Sequence, residues 1–149
     1  MTSAQFVRCF CFLLAATIVV AVVLGVIGAP LGTVTTAKGR ACDIVSFEFA
    51  GTVEHAQSII DAWNAYGIVG RAKLNTWFDC LFLLSYPNLI ALGIVGMLAP
   101  PMTDGWRTVG RLLAWAQWLV LASDATENVA LLRILYGTVA APWPQVAYA

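Results

Sequence analysis

Residues 9–31 read CFCFLLAATIVVAVVLGVIGAPL, a run without a single charged side chain. About 20 apolar residues in helical form cross a hydrocarbon core of ~30 Å at 1.5 Å per residue. Inside such a core only a helix or a closed barrel satisfies the backbone's own hydrogen bonds. The run therefore commits the start of the chain to a helix, read here as a membrane span over residues 8–31. A cleaved secretory signal is the competing reading, with Arg8 as the positive flank and VIGA as the small-residue cleavage point. The apolar core of such signals is roughly 7–15 residues, shorter than this one, so the helix is expected to be retained.

Composition extends the membrane reading to the rest of the chain. Of 149 residues, 60% are apolar and 11% charged, against roughly 25% charged in soluble domains. Eight Lys and Arg balance eight Asp and Glu, which leaves no basic surplus for a nucleic-acid backbone and no acidic, disordered tail. Four cysteines, Cys9, Cys11, Cys42 and Cys80, are too few for a disulfide scaffold. Cys42 has only Cys80, at the membrane edge, as a partner, and no disulfide is expected.

The second expected span covers residues 76–99 and stops at Pro100 and Pro101, since proline donates no backbone hydrogen bond and restricts the residue before it. Pro87 lies inside and is expected to kink the helix. Gly93 and Gly96 allow a neighbouring helix to approach closely. The short connection 100–105 turns the third helix back antiparallel, with Asp104 as N-cap. A third span, 107–136, ends at Gly137, and Trp106, Trp115, Trp118 and Tyr136 supply rings for an interfacial belt. The remaining APWPQVAYA opens like a helix from about residue 142 but is too short to cross, so the chain is expected to be cut inside a fourth helix.

Residues 32–73 form an aqueous or interfacial segment. Within it, Val53, Ile59, Ile60, Trp63 and Tyr66 recur at near-helical spacing, with Glu54, His55, Gln57, Ser58 and Asp61 on the other side. That pattern predicts an amphipathic helix over 52–66 lying on the membrane surface, ended by Gly67. The expected fold is thus all-α, a single polytopic transmembrane helical bundle over residues 1–149. It comprises three complete spans, the start of a fourth and a surface helix in the first loop. Lys38, Arg40, Arg71, Lys73 and Arg133 outnumber Arg8, Arg107 and Arg111 on the other side, which opposes a cytoplasmic N-terminus. The first helix with its Arg8, and the weakening of the charge rule over long loops, favour one, and that orientation is retained.

Ionisable side chains within spans cost about 2.5–3.5 kcal/mol at the centre, so each needs a partner or a purpose. The second helix carries Asp79; the third carries Asp124, Glu127 and Asn128. Antiparallel helices place these acids in the same half of the membrane, Asp79 at ~10–12 Å and Glu127 and Asp124 at ~14–18 Å from the loop-side boundary. At 100° per residue, Tyr86 projects within ~20° of Asp79 and Gln117 within ~20° of Asp124, while Asn128 lies ~40° from Asp124. Turning both stripes inward gives a candidate polar cluster of Asp79, Tyr86, Gln117, Asp124, Glu127 and Asn128. Arg71 and Arg133 reach in from its mouth, and the segment with His55 roofs it. Packed carboxylates raise one another's pKa unless a cation intervenes. A lone His55 is a poor zinc ligand, and no metal site is assigned. Cys80 reads as packing.

Together, YGIVGR at 66–71, Asp79 with Tyr86-Pro87 in the second helix, and D-x-x-E-N (Asp124, Glu127, Asn128) in the third resemble a family of small bacterial four-helix inner-membrane proteins without an assigned activity. The resemblance covers residues 43–149. It implies a four-helix membrane fold with a buried polar site and a full fourth helix after APWPQVAYA, and it names no substrate or cofactor. Three functional classes follow. The first is a binder, or an enzyme, acting on a lipid head group, an isoprenoid-like molecule with a polar end, or a cation. The second is a proton- or ion-coupled transporter, which with so few helices would need to oligomerise. The third is a structural or assembly subunit in which the polar residues knit helices together.

Overall fold

The computed structural model describes residues 2–98 and 102–148. Its regular elements are α1 (Ser3–Gly28), a short 3-10 turn (Leu31–Thr33), α2 (Ile44–Glu48), α3 (Val53–Ala65), α4 (Val69–Met97), α5 (Asp104–Tyr136) and α6 (Trp143–Tyr148). The fold is all-helical. Extended backbone pairs among the described residues in one antiparallel bridge, Thr35 with Ala41. The expected end at Ala99 and the Pro100-Pro101 stop lie outside the described residues.

Two helices, α1 and α4, are long and apolar enough to cross a membrane. α1 has no buried residue; Phe12 at 73% and Val26 at 67% exposure point outward, as suits hydrocarbon better than water. α5 is the longest helix, 33 residues, yet it is not the third member of that pair. Arg107 and Arg111 at one end and Asp124, Glu127 and Arg133 at the other confine its uncharged stretch to residues 112–123, and it is less apolar than α1 and α4. α6 begins at Trp143, where the proline-containing tail was expected to open into a helix.

The chain divides into two compact units. One comprises the residues up to Ala21 together with Leu81–Asp124. In it the stacked rings of Phe6 and Phe10, 6.4 Å apart, lie over small residues of α4. A Cβ at Gly93 would sit 3.5 Å from the Phe10 ring, and one at Gly96 would run into the Phe6 ring. The expectation that these glycines admit a close neighbour holds. Gly110 of α5 receives the side chain of Leu98 in the same way. α4 continues through Pro87, whose missing N–H frees one carbonyl. The Ser85 hydroxyl and the Asn88 amide donate to the neighbouring carbonyls of Phe82 (3.0 Å) and Leu84 (2.9 Å).

The other unit, Val22–Cys80 with the chain from Ala125 onward, holds the main core. Asp43 caps α2 by accepting from the Ser46 N–H at 2.6 Å, and Thr52 caps α3 by accepting from the His55 N–H at 3.2 Å. Each cap satisfies an otherwise orphaned helix donor. Gly67, at φ +67°, takes the left-handed conformation that ends α3. Ile59, Ile60 and Trp63 of α3 are buried in one cluster with Leu31, Phe47 and Leu131. The apolar stripe of α3 is covered by the protein itself, with only Tyr66 left 69% exposed. The Trp63 indole N–H donates to the Cys42 carbonyl at 2.7 Å, and its ring meets Phe47 edge-on at 5.0 Å.

Three substitutions test this packing by thermal or denaturant unfolding. Gly96→Val should cost about 1–3 kcal/mol, because the Phe6 ring must move, whereas Gly25→Ala, with open space around it, should be tolerated. Trp63→Phe should cost about 1–3 kcal/mol by leaving the buried Cys42 carbonyl unpaired.

Candidate functional site

The polar residues of α4 and α5 form hydrogen-bonded pairs, one in each unit. In the unit containing Cys80 and Ala125, the Asn128 amide donates to Asp79 Oδ2 at 2.7 Å. Asn128 is 4% exposed and Asp79 is half-buried. In the unit containing Leu81 and Asp124, the Tyr86 hydroxyl donates to Asp124 Oδ2. The Tyr86 ring stacks on Phe82 at 4.8 Å and 26°, so the phenol is fixed on the turn of α4 that precedes it. Each pair joins α4 to α5, as antiparallel stripes require. Each gives a carboxylate a neutral donor, the arrangement that keeps a polar group tolerable in an apolar segment.

Other expected members are placed differently. Gln117 turns its amide to the Leu113 carbonyl of its own helix at 3.4 Å. Glu127 is half-buried beside Asn128 on α5. Arg133 does not reach inward: its guanidinium lies 5.8 Å from the centre of the Trp143 ring, and a cation over an aromatic face is stabilised there without a carboxylate. Arg71 is exposed. His55 donates its Nδ1–H to the Ala50 carbonyl at 3.2 Å and lines a cavity with Lys38 and Arg40. Among the described residues, no three His, Cys, Asp or Glu side chains converge to hold a metal ion.

Some polar contacts were missed in the sequence. Asn75, 5% exposed, donates its amide to the Leu24 carbonyl of α1 at 2.9 Å. It lies ~40° from Asp79 around α4, so the stripe drawn through Asp79 and Tyr86 extends naturally to it. The Trp77 indole donates to the Tyr136 hydroxyl at 3.2 Å, and Lys73 Nζ sits 4.5 Å from the centre of the same Tyr136 ring. Outside the long helices, all four cysteines being free, burial and then the neighbouring Asp43 charge push the Cys42 thiol pKa up. This thiol is held in its unreactive, protonated form.

The fold and these pairs define a helical protein with two helices long and apolar enough to cross a membrane. Compared with known proteins, the chain matches no family model, no curated protein and no solved structure.

A double-mutant cycle on Asp79→Asn and Asn128→Leu should return a coupling of roughly 0.6–1.7 kcal/mol, the range for side-chain hydrogen bonds between membrane helices. Additive unfolding free energies would show that the two side chains do not act as a pair.

Proposed function

We propose that the chain is a small multi-pass protein of a bacterial inner membrane, in which α5 crosses as a third span and acidic residues on α4 and α5 bind the polar end of a lipid or isoprenoid-like molecule. The family resemblance of the YGIVGR and D-x-x-E-N segments supports the setting. For α5, support comes from the outward Leu112, Trp115 and Leu119, at 65%, 72% and 75% exposure, which make its uncharged stretch an apolar surface suited to lipid. Arg107 and Arg111 reach toward the interface by snorkelling.

The observation that carries the ligand reading is the Tyr86–Asp124 pair. A phenol and a carboxylate together offer a donor and an acceptor to a polar head while the surrounding helix accommodates its apolar tail. A cation remains a ligand of the same proposal through Asp79, Asp124 and Glu127 taken singly. A structural or assembly role is the second reading, favoured by the Asn128–Asp79 bond, which ties α4 to α5 without needing a ligand.

Native mass spectrometry of the full-length protein extracted with its lipids separates the two. The ligand reading expects a stoichiometric bound molecule in the wild type that is lost in Asp124→Asn and Glu127→Gln while both variants keep their melting temperature. The structural reading expects no bound species in any form and earlier melting of the variants.

A further inference from the structure

The end of α5 carries two cavities that meet at one residue and differ in character. The first, about 520 Å³, lies where α3, the start of α4 and the turn after α5 come together, and Gln57, Asn64, Lys73 and Thr138 supply its polar groups. The second, about 330 Å³, lies along α5 and is lined by Val129, Leu132, Arg133, Tyr136 and Gly137. Gly137 belongs to both linings. Val129, Leu132 and Tyr136 follow one another at steps of three and four residues, so the second cavity is a groove on one helical face. It runs back along α5 for ~12 Å from Gly137. All of these residues belong to the same compact unit.

The polar end suits negative charge. Lys73 is half-buried, and its ammonium is seated over the ring of Tyr136, whose hydroxyl accepts from the Trp77 indole at 3.2 Å. Arg133 is seated in the same way over Trp143. Neither cation forms an ion pair among the described residues, and among those residues neither lining contains a carboxylate. Asp61, outside both linings, takes one hydrogen of the Gln57 amide at 2.7 Å. The Asn64 amide and the Thr138 hydroxyl add neutral donors. The groove has the opposite chemistry, with Val129 (53% exposed) and Leu132 presenting aliphatic surface beside the Tyr136 ring. An occupant of both cavities is therefore anionic beside Gly137 and apolar along α5.

We infer that the two cavities together seat one anionic phospholipid, with its phosphodiester at Lys73 and Arg133 and an acyl chain in the groove along α5. Phosphate oxygens accept from an ammonium and a guanidinium, and both cations are already held in place by their rings. The direction is that of a lipid in its leaflet: the polar cavity borders α3, and the groove follows α5 away from it. A zwitterionic head group fits less well, because its ammonium would meet two cations and no carboxylate. Basic sites at the ends of membrane helices recognise anionic lipids on this principle. The inference rests on the membrane setting of α1 and α4 and is independent of the Tyr86–Asp124 pair.

The full chain, delipidated in maltoside micelles, is titrated with phosphatidylglycerol, with phosphatidylcholine of the same acyl chains and with glycerol phosphate, and the retained molecules are counted by native mass spectrometry. The expected result is one phosphatidylglycerol per chain at saturation and phosphatidylcholine bound roughly 10-fold more weakly. Glycerol phosphate, which has no chain for the groove, should not be retained. Lys73→Gln with Arg133→Gln should lower phosphatidylglycerol to the level of phosphatidylcholine and leave phosphatidylcholine unchanged, whereas Lys73→Arg with Arg133→Lys, which keeps both charges, should retain the preference. Equal retention of the two lipids, an undiminished preference in the glutamine double variant, or glycerol phosphate bound as tightly as the lipid overturns the inference. The wild-type comparison needs no variant to fold. Alkaline carbonate extraction of vesicles holding the chain separates the two levels of the argument. Release of the chain refutes the membrane setting, and a chain that stays but shows no lipid preference refutes the lipid site alone.

Discussion

The Trp63 indole, buried and tied to the Cys42 carbonyl, is the contact on which the structure between α1 and α4 depends. A short helix such as α2 has too few residues to be stable alone, and a turn such as 35–41 has no core of its own. α2 acquires one because Phe47 packs on the Trp63 ring, and the same indole satisfies a backbone acceptor just after the turn that would otherwise be buried unpaired. With Trp63 fixed, α3 is fixed in rotation, and the face bearing Glu54, His55 and Ser58 is turned to the cation-bearing turn. The cavity that His55 lines with Lys38 and Arg40 thus follows from the packing of the opposite side of the same helix.

A different constraint governs the long helices, where polar side chains in apolar surroundings need partners. Three solutions occur. Asp79 and Asp124 draw neutral donors from the neighbouring helix, Asn75 reaches the carbonyl of Leu24 on α1, and Gln117, Ser85 and Asn88 return to carbonyls of their own helix. Only the first two join helices. Lys73 and Arg133 use aromatic faces instead, which stabilise a cation without a carboxylate.

How much of this was legible depended on the range of the interaction. The long helices, the amphipathic pattern of α3 and its termination at Gly67 are local, and periodicity and glycine placement revealed them. The pairings of Asp79 with Asn128 and Tyr86 with Asp124 are long-range, yet antiparallel counting brought both into one candidate group. Gln117 misled because a glutamine side chain can return to its own backbone, which helical projection does not show. The cover over α3 was hidden for a related reason. IVSFE is too short to display a period, so nothing local announced that Phe47 would meet Trp63, and an apolar stripe without a visible partner reads as a membrane-facing one. α5 was read as a span from its length and its tryptophans; its charges confine the uncharged stretch to its middle, which leaves α1 and α4 as the two helices apolar enough to pass the same test on their own.

The rings of Phe6 and Phe10 over Gly96 and Gly93 have a mechanical meaning. Ascending numbers in α1 meet descending numbers in α4, so the two segments run antiparallel. The rings fit only where α4 lacks side chains. A slip of one helical turn, about 5.4 Å, would set Phe6 against Leu92 rather than Gly96. The two helices are therefore keyed to each other in depth. In a bilayer whose hydrocarbon thickness differed from their apolar length, sliding of one helix along the other would be blocked, and the mismatch would fall on tilt or on the lipid itself.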